Sequence, residues 1–114
     1  MKNLNKVIGC KGEIFAQEYL KKKRYKILAL NYKDKIGEID IVAQIKKVIV
    51  FVEVKSRETI AFGRPCEAVN FEKQNKIRRV AQSFLIRNHL VESQVRFDVI
   101  EVIGDKLNHI ENAF

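Results

Sequence analysis

The stretch VIVFVEVKSR, residues 48–57, predicts a β-strand whose two faces differ in chemistry. Valine occupies positions 48, 50, 52 and 54, and the alternate positions hold Ile49, Phe51, Glu53 and Lys55. Because successive side chains of a strand point to opposite faces, the valines share one face and Glu53 and Lys55 share the other. A carboxylate and an ammonium group therefore stand on a strand face that is otherwise apolar enough to be buried.

The preceding stretch EIDIVAQ, residues 38–44, predicts a neighbouring strand, and the short polar link to residues 47–55 is typical of a hairpin. If the link has an even number of residues, Asp40 lies on the same face as Glu53, directly opposite or on the diagonal. An odd link, or a β-bulge, would put the two carboxylates on opposite faces. The hairpin register therefore decides whether the two carboxylates converge.

The rest of the chain predicts an α/β fold with helices on both sides of a mixed sheet. At 114 residues, we expect one domain that spans 1–114. Asn70 is a candidate N-cap for the second helix, which we expect to begin between Pro65 and Asn70. The other predicted elements are a helix over 8–23, a strand over 25–31 followed by a turn, a loop over 56–66, a strand over 94–103 and a short additional strand over 107–110.

The composition points to a polyanionic partner. Lys and Arg number 22 against 14 Asp and Glu, which gives a net charge of +8. Such a field attracts nucleic acid first and an anionic membrane surface second, although positive charge also serves solubility. No run approaches the ~18 apolar residues of a membrane span, and the N-terminus lacks a signal-peptide pattern, so we expect a cytoplasmic protein without membrane association. Cys10 and Cys66 lack zinc-site spacing, and we expect free thiols.

Two converging carboxylates repel each other unless a cation compensates them. Asp40 and Glu53 offer the hard oxygen ligands that suit Mg²⁺ or Mn²⁺. Lys55 points the same way, where it would stabilise transition-state charge or orient the attacking water. A metal, a lysine and a basic surface together favour phosphodiester hydrolysis. The alternative is a solvated strand face with cross-strand ion pairs.

The two helices offer further candidates. Glu13 leans toward the sheet on the first helix, as an additional metal or water ligand or as a residue at the boundary of the apolar face. On the second helix, Lys73 and Gln74 fall within the arc of the apolar stripe, where Lys73 either reaches the acidic cluster or extends to solvent. Lys76 and Arg79 lie outside that arc and are expected to meet phosphates.

The histidines and one further aspartate carry no predicted chemistry. His89 and His109 match no recognisable site, so we expect surface or packing positions for both. Asp98 lies in a predicted strand beside Arg96 and Ile100, and we interpret it as structural.

Several motifs together resemble the bacterial YraN-like family of predicted nucleases. They are KGEIFAQEYL, ILALNYK, GEIDIVA, VFVEVKSR, FGRPCEAV, KQNKIRRVAQSFL, RFDVIEV and the final HIENAF, which follow in order along nearly the whole chain. This family resembles the PD-(D/E)XK, restriction-endonuclease-like superfamily, near the archaeal Holliday junction resolvases. The resemblance implies a restriction-endonuclease-like mixed β-sheet flanked by helices, and a single PD-(D/E)XK nuclease-like domain.

The resemblance also implies roles for individual residues. Asp40 and Glu53 match the metal-binding carboxylates, Lys55 matches the catalytic lysine, and Glu13 matches the helical acidic residue of resolvase-like members. The backbone carbonyl of Val54 is a typical extra metal ligand in such sites. Two cations complete the expected DNA contacts. Lys33 stands where the family often has arginine, and Arg57 lies in the predicted loop; Lys33 lacks the bidentate fork of arginine.

Two functions of different classes follow. The first is a Mg²⁺- or Mn²⁺-dependent endonuclease, a deoxyribonuclease that acts on branched or otherwise structured DNA. A homodimer would enlarge the footprint of so small a domain, as the resolvase resemblance also implies. The second is a DNA-binding accessory protein whose nuclease site is vestigial or depends on a partner. A structural partner of a membrane or protein complex is a weaker third reading.

Overall fold

The computed structural model describes residues 4–57 and 69–114, with side chains for all of these except 4–11 and 57. Two helices and five strands lie within these ranges, in the predicted order. They are α1 (Leu4–Lys22), β1 (Lys26–Lys33), β2 (Glu38–Ile45), β3 (Val48–Arg57), α2 (Phe71–Arg87), β4 (Gln94–Ile103) and β5 (Lys106–Ile110). Neither of these helices has a stretch of 18 residues apolar enough to cross a membrane.

The strands form one mixed sheet in the order β1-β2-β3-β4-β5. Strands β3 and β4 pair in parallel, and the other neighbours pair antiparallel. A parallel pair requires a crossover connection, and α2 lies within the segment that joins β3 to β4. The predicted α/β class and mixed sheet are therefore confirmed.

Each helix covers one face of the sheet. The valine face of β3 packs with Ala16 and Leu20 of α1, whereas Ile49 and Phe51 pack with α2. The buried side chains of α2 are those of the predicted stripe, namely Ile77, Val80, Ala81, Phe84 and Leu85. The face of β3 that carries Glu53 is thus the face that α2 covers, which brings the start of α2 near this carboxylate.

Asn70 caps α2 as predicted. Its side-chain oxygen accepts a hydrogen bond from the Lys73 N–H at 2.9 Å, which satisfies one of the free donors of the first turn. The Gln74 amide donates to the Val69 carbonyl at 3.0 Å. These two contacts fix where α2 begins, and therefore where Lys73 projects.

Several predicted boundaries were wrong by a few residues. Helix α1 begins at Leu4 rather than at residue 8, because no glycine or proline interrupts the residues before the apolar stripe. Strand β1 continues to Lys33 because Tyr32 and Lys33 pair with β2, so the turn is shorter than expected. Ser56 and Arg57 belong to β3, not to a loop, because parallel pairing with β4 continues to Arg57. The rest of the predicted loop and Cys66 lie outside the described residues, as does the Cys10 side chain.

His109 occupies a packing position, as expected, and it also contacts the buried Asp98. Its Nε2 lies 2.6 Å from Asp98 Oδ2, and its Nδ1 lies 3.0 Å from the Tyr19 hydroxyl. Arg96 donates to both Asp98 oxygens at 2.9 Å. Asp98 has an exposed fraction of 0%. This carboxylate therefore ties β4 to β5 and, through His109 and Tyr19, to α1, in agreement with the structural role predicted for it.

These contacts lower the pKa of Asp98. Burial alone would raise it, but the hydrogen bonds from His109 and Arg96 more than offset burial. A carboxyl whose pKa is lower in the folded than in the unfolded chain stabilises the fold above its unfolded value of 3.8. That stabilisation is lost as the pH falls through the folded-state pKa.

The substitution Asp98→Asn is expected to lower the free energy of unfolding at pH 7 by about 3–5 kcal/mol, because the partly buried Arg96 guanidinium loses its carboxylate partner. Urea unfolding measures this change. Glu111→Gln is the matched control, since Glu111 also contacts Arg96, at 3.4 Å, but is exposed. It should change stability by no more than about 0.5 kcal/mol. Equal effects of the two substitutions would contradict the structural role of Asp98.

Candidate active site

The register of the β2–β3 hairpin meets the condition set by the sequence. Two residues, Lys46 and Lys47, link the strands, and the paired residues run from Ile45 with Val48 to Ile41 with Val52. Asp40 and Glu53 are the next residues beyond the last of these pairs. The even link is therefore confirmed, and the two carboxylates belong to adjacent positions of one hairpin.

Strand β2 departs from simple alternation at its start, which the sequence did not predict. Ile39 packs in the cluster on the α2 side, although Ile41 packs in the cluster on the α1 side. Between them, Asp40 Oδ2 accepts a hydrogen bond from the Val54 N–H at 2.8 Å. A side-chain oxygen of β2 thus satisfies this backbone donor of β3. The contact fixes the Asp40 carboxylate beside the residue that follows Glu53.

Glu53 is a buried carboxylate with an exposed fraction of 7%. Burial raises its pKa to about 8, the neighbouring Asp40 adds to the rise, and Lys73 and Lys55 oppose it. Its Oε1 lies 3.6 Å from Lys73 Nζ and 4.0 Å from Lys55 Nζ. Its Oε2 is buried and has no hydrogen-bond partner among the residues that the structure describes. This unpartnered oxygen is a position that a bound cation would satisfy.

The two lysines approach Glu53 from different elements. Lys55 extends from β3, two residues beyond Glu53, and burial together with the adjacent Lys73 lowers its pKa. Lys73 projects from the first turn of α2 and reaches the acidic cluster, which is one of the two outcomes that the sequence allowed. Both ammonium groups lie nearest to Oε1 of Glu53, so Oε2 has no ion pair with either lysine.

Glu13 lies near Asp40, the other carboxylate of the pair. Burial raises its pKa first, the charges of Asp40 and Glu38 raise it further, and a hydrogen bond with Asn31 opposes them. Gly12 allows α1 to come this close, since a Cβ at that position would lie 2.8 Å from Ser56 Cβ. Helix α1 therefore places an acidic residue beside Asp40 from the face opposite to α2.

A metal ion at this site would be held by the two carboxylates of Asp40 and Glu53, not by a cluster of three protein side chains. Across residues 4–57 and 69–114, no three Asp, Glu, His or Cys side chains lie close enough together to hold an ion. Mg²⁺ is often bound by one or two carboxylates, with water and substrate phosphate as the remaining ligands. Asp40 and Glu53, with the unpartnered Oε2, fit this pattern. Glu13 stands outside the pair, and its predicted ligand role stays a prediction, as does that of the Val54 carbonyl.

The predicted nucleic-acid contacts are spread over several elements. Lys33 is exposed at the end of β1, and Lys76 and Arg79 are exposed on α2. Lys76 also lies 3.7 Å from Glu72 one turn earlier. The side-chain amide of Gln74 donates a hydrogen bond to the carbonyl of Val69, the residue before the N-cap of α2. The backbone of Arg57 ends β3, and its side chain lies outside the described part of the chain. Their roles in binding stay predictions.

Sequence reasoning missed Glu101, a further buried carboxylate on this sheet besides Glu53 and Asp98. It pairs with Lys55 in the parallel register and accepts a hydrogen bond from Asn108 Nδ2 at 2.9 Å. The available signal was the alternation in QVRFDVIEVI, where Glu101 continues an apolar series as Glu53 does in β3. The parallel pairing that puts it beside Lys55 could not be obtained from that pattern alone.

The fold and this site define an α/β protein with two helices on opposite faces of a mixed sheet, and an acidic pair with two lysines at the end of a hairpin. The model of the uncharacterised protein family UPF0102 matches residues 12–102. The chain is 53% identical to the UPF0102 protein of Alkaliphilus oremlandii, over 97% of this chain and 100% of that one. It is 50% identical to the UPF0102 protein TTE1452 of Caldanaerobacter subterraneus, over 100% of each chain. The chain belongs to the UPF0102 family, the YraN-like family that its motifs resemble.

The raised pKa of Glu53 predicts how the metal-free protein responds to pH. A carboxyl whose pKa is higher in the folded chain stabilises the fold fully below its unfolded value of 4.5 and loses that contribution as the pH rises through about 8. Without metal, the free energy of unfolding should therefore fall between pH 6 and pH 9. Glu53→Gln should remove most of this fall, because the amide cannot ionise.

Urea unfolding in EDTA at both pH values measures the effect. Glu18→Gln is the matched control, since it is the same change at an exposed position of α1. It should leave the fall intact. A fall of equal size in wild type and Glu53→Gln would show that Glu53 does not ionise in this range.

Proposed function

We propose that this protein is a Mg²⁺- or Mn²⁺-dependent nuclease that hydrolyses phosphodiester bonds in DNA, with branched or otherwise structured DNA as its substrate. The observation that carries the proposal is the buried Glu53 carboxyl beside Asp40, whose Oε2 meets no donor within the described part of the chain. The charged form of a buried carboxyl without a donor is costly, so metal-free Glu53 keeps its proton up to about pH 8, and a bound cation would stabilise the charged form. The resemblance of GEIDIVA and VFVEVK to PD-(D/E)XK nucleases supports the same reading.

Asp40 and Glu53 would hold the divalent ion, with Glu13 supporting a ligand water. When bound, such an ion neutralises charge on the phosphate and lowers the pKa of a bound water. The hydrogen bond from Val54 keeps Asp40 in place before any ligand arrives. This preorganisation reduces the rearrangement that ion and substrate binding would require.

The lysines would act on the substrate phosphate. Lys55 lies at the same carboxylate as the proposed ion, so its ammonium group can donate to a phosphate oxygen where negative charge develops. Lys73 balances the charge of Glu53 while the site is empty of substrate and can move to a phosphate when the substrate arrives. Exposed cations of α2, such as Arg79, would contact the backbone of the nucleic acid further away.

A second candidate is a DNA-binding accessory protein that lacks activity of its own. One observation favours it: Lys73 and Lys55 already lie near Glu53 Oε1, so internal cations partly compensate the carboxylate without a metal. Such a protein would bind DNA with steep salt dependence and show no metal site that depends on the carboxylates. A homodimer is compatible with either function.

Cleavage of a labelled four-way junction and of a linear duplex, with Mg²⁺ or Mn²⁺, tests the proposal. Asp40→Asn and Glu53→Gln should each lower the rate at least about 100-fold, because each removes a charged ligand of the ion. Asp105→Asn, the same change at an exposed turn, and Glu18→Gln should cut at the wild-type rate.

Calorimetric titration of Mn²⁺ separates the two candidate functions. The nuclease requires one site that both substitutions abolish, whereas the accessory protein would show DNA binding without it. If wild type and both site variants cut equally, the cleavage comes from a contaminant and the proposal fails.

A further inference from the structure

A cleft outside the carboxylate site lies between the turn that joins β1 to β2 and the C-terminal half of α2. Its volume is about 670 Å³, and its walls are formed by Lys33, Asp34, Lys35, Ile36, Ser83 and Arg87. Half of these residues are cations, and Ser83 adds a hydroxyl group. The chemistry of the walls therefore suits an anion with several oxygen atoms.

The cleft carries a net positive charge, because three cations and one carboxylate line it. Lys33, Lys35 and Arg87 form no ion pair with any carboxylate in the described ranges. Asp34 is the acidic residue of the walls, and its Oδ1 accepts hydrogen bonds from the backbone N–H groups of Ile36 and Gly37 at 2.7 and 3.2 Å. Its carboxylate is thereby engaged in the turn, and the cations remain available to a ligand.

Packing holds the two walls of the cleft together. The rings of Tyr32 and Phe84 meet edge to face with centroids 5.1 Å apart, and the Tyr32 hydroxyl lies 3.5 Å from Ser83 Oγ. The turn also approaches α2 closely, since a Cβ at Gly37 would lie 3.7 Å from Val80 Cγ2. The cleft therefore keeps a fixed position relative to α2.

Helix α2 also fixes the distance from the cleft to the carboxylate site. Lys73 contacts Glu53 at one end of the helix, and Arg87 lines the cleft fourteen residues later. At 1.5 Å per residue, this separation is about 21 Å. Successive base pairs of a duplex are 3.4 Å apart, so the separation corresponds to about six base pairs.

We propose that this cleft binds backbone phosphates of a duplex arm, about six base pairs from the phosphate at the carboxylate site. The position of that second phosphate rests on the proposed nuclease function. Phosphate binding by the cleft itself does not require cleavage. The proposal implies a DNA substrate whose double-stranded arm extends at least about six base pairs from the carboxylate site toward the β1–β2 turn.

Salt-dependent binding tests the cleft without any cleavage. The variant Lys35→Ala/Arg87→Ala is compared with Lys26→Ala/Lys47→Ala, which removes the same charge from exposed positions near the opposite ends of the strands. Binding of a duplex of about 20 base pairs is measured in EDTA between about 50 and 200 mM salt. The slope of log affinity against log salt should become less steep by about 2 in the cleft variant and remain near the wild-type value in the control.

Arm length gives the second measurement. DNA hairpins with stems of about 4 and about 16 base pairs are compared, since the shorter stem cannot span about six base pairs. Wild type should bind the longer stem at least about tenfold more tightly, and the cleft variant should lose most of that preference. An unchanged slope together with an unchanged preference would overturn the proposal.

Two further outcomes are informative. One distinguishes duplex DNA from a small phosphate compound as the ligand of the cleft, and the other distinguishes failure of the cleft proposal from failure of the nuclease proposal. If inorganic pyrophosphate binds in a manner that depends on Lys35 and Arg87 while the DNA slope stays unchanged, the ligand is a small phosphate compound and the duplex proposal is wrong. The other outcome is that the salt dependence of binding becomes less steep in the cleft variant while wild type cuts no DNA with any divalent ion. Phosphate binding by the cleft is then supported, and the proposed nuclease function is wrong.

Discussion

The hydrogen bond from the Val54 N–H to Asp40 Oδ2, 2.8 Å long, is the contact on which the candidate site depends. It joins the start of β2 to the end of β3 at the point where the regular pairing stops. A carboxylate held by a backbone donor cannot turn away from its neighbour, so Asp40 stays beside Glu53. The two helices then bring Glu13 and Lys73 to this pair from opposite faces of the sheet.

Burial of the Glu53 carboxyl beside Asp40 opposes folding unless nearby groups offset the repulsion. The site offsets it in three ways: the pKa of Glu53 rises to about 8, two lysines approach its Oε1, and its Oε2 is left for a cation. The Asp98 network on the α1 side differs, because both of its carboxylate oxygens have donors. Asp98 thus has donors for both oxygens, whereas Glu53 Oε2 has none among the residues that the structure describes.

The order of the elements, the core stripe of α2 and the even link between β2 and β3 could be predicted because each depends on local periodicity or on the length of one short link. The break in alternation at Ile39 could not, since it follows from the Asp40–Val54 contact and from packing against α2. The contacts of His109 and the position of Glu101 depend on pairing between strands distant in sequence, which no local pattern encodes. Likewise, the cleft at Lys35 and Arg87 forms only when the turn docks on α2.

A crystal structure with Mn²⁺ tests most directly whether the Asp40–Glu53 pair binds a divalent cation, as proposed. Anomalous scattering locates Mn²⁺ independently of any assumption about ligands. We expect a single strong peak within coordination distance of both carboxylates, at about 2.0–2.2 Å, with Glu53 Oε2 among the ligands. An anomalous map without a peak at this pair, at a Mn²⁺ concentration that supports binding elsewhere on the protein, would contradict the account.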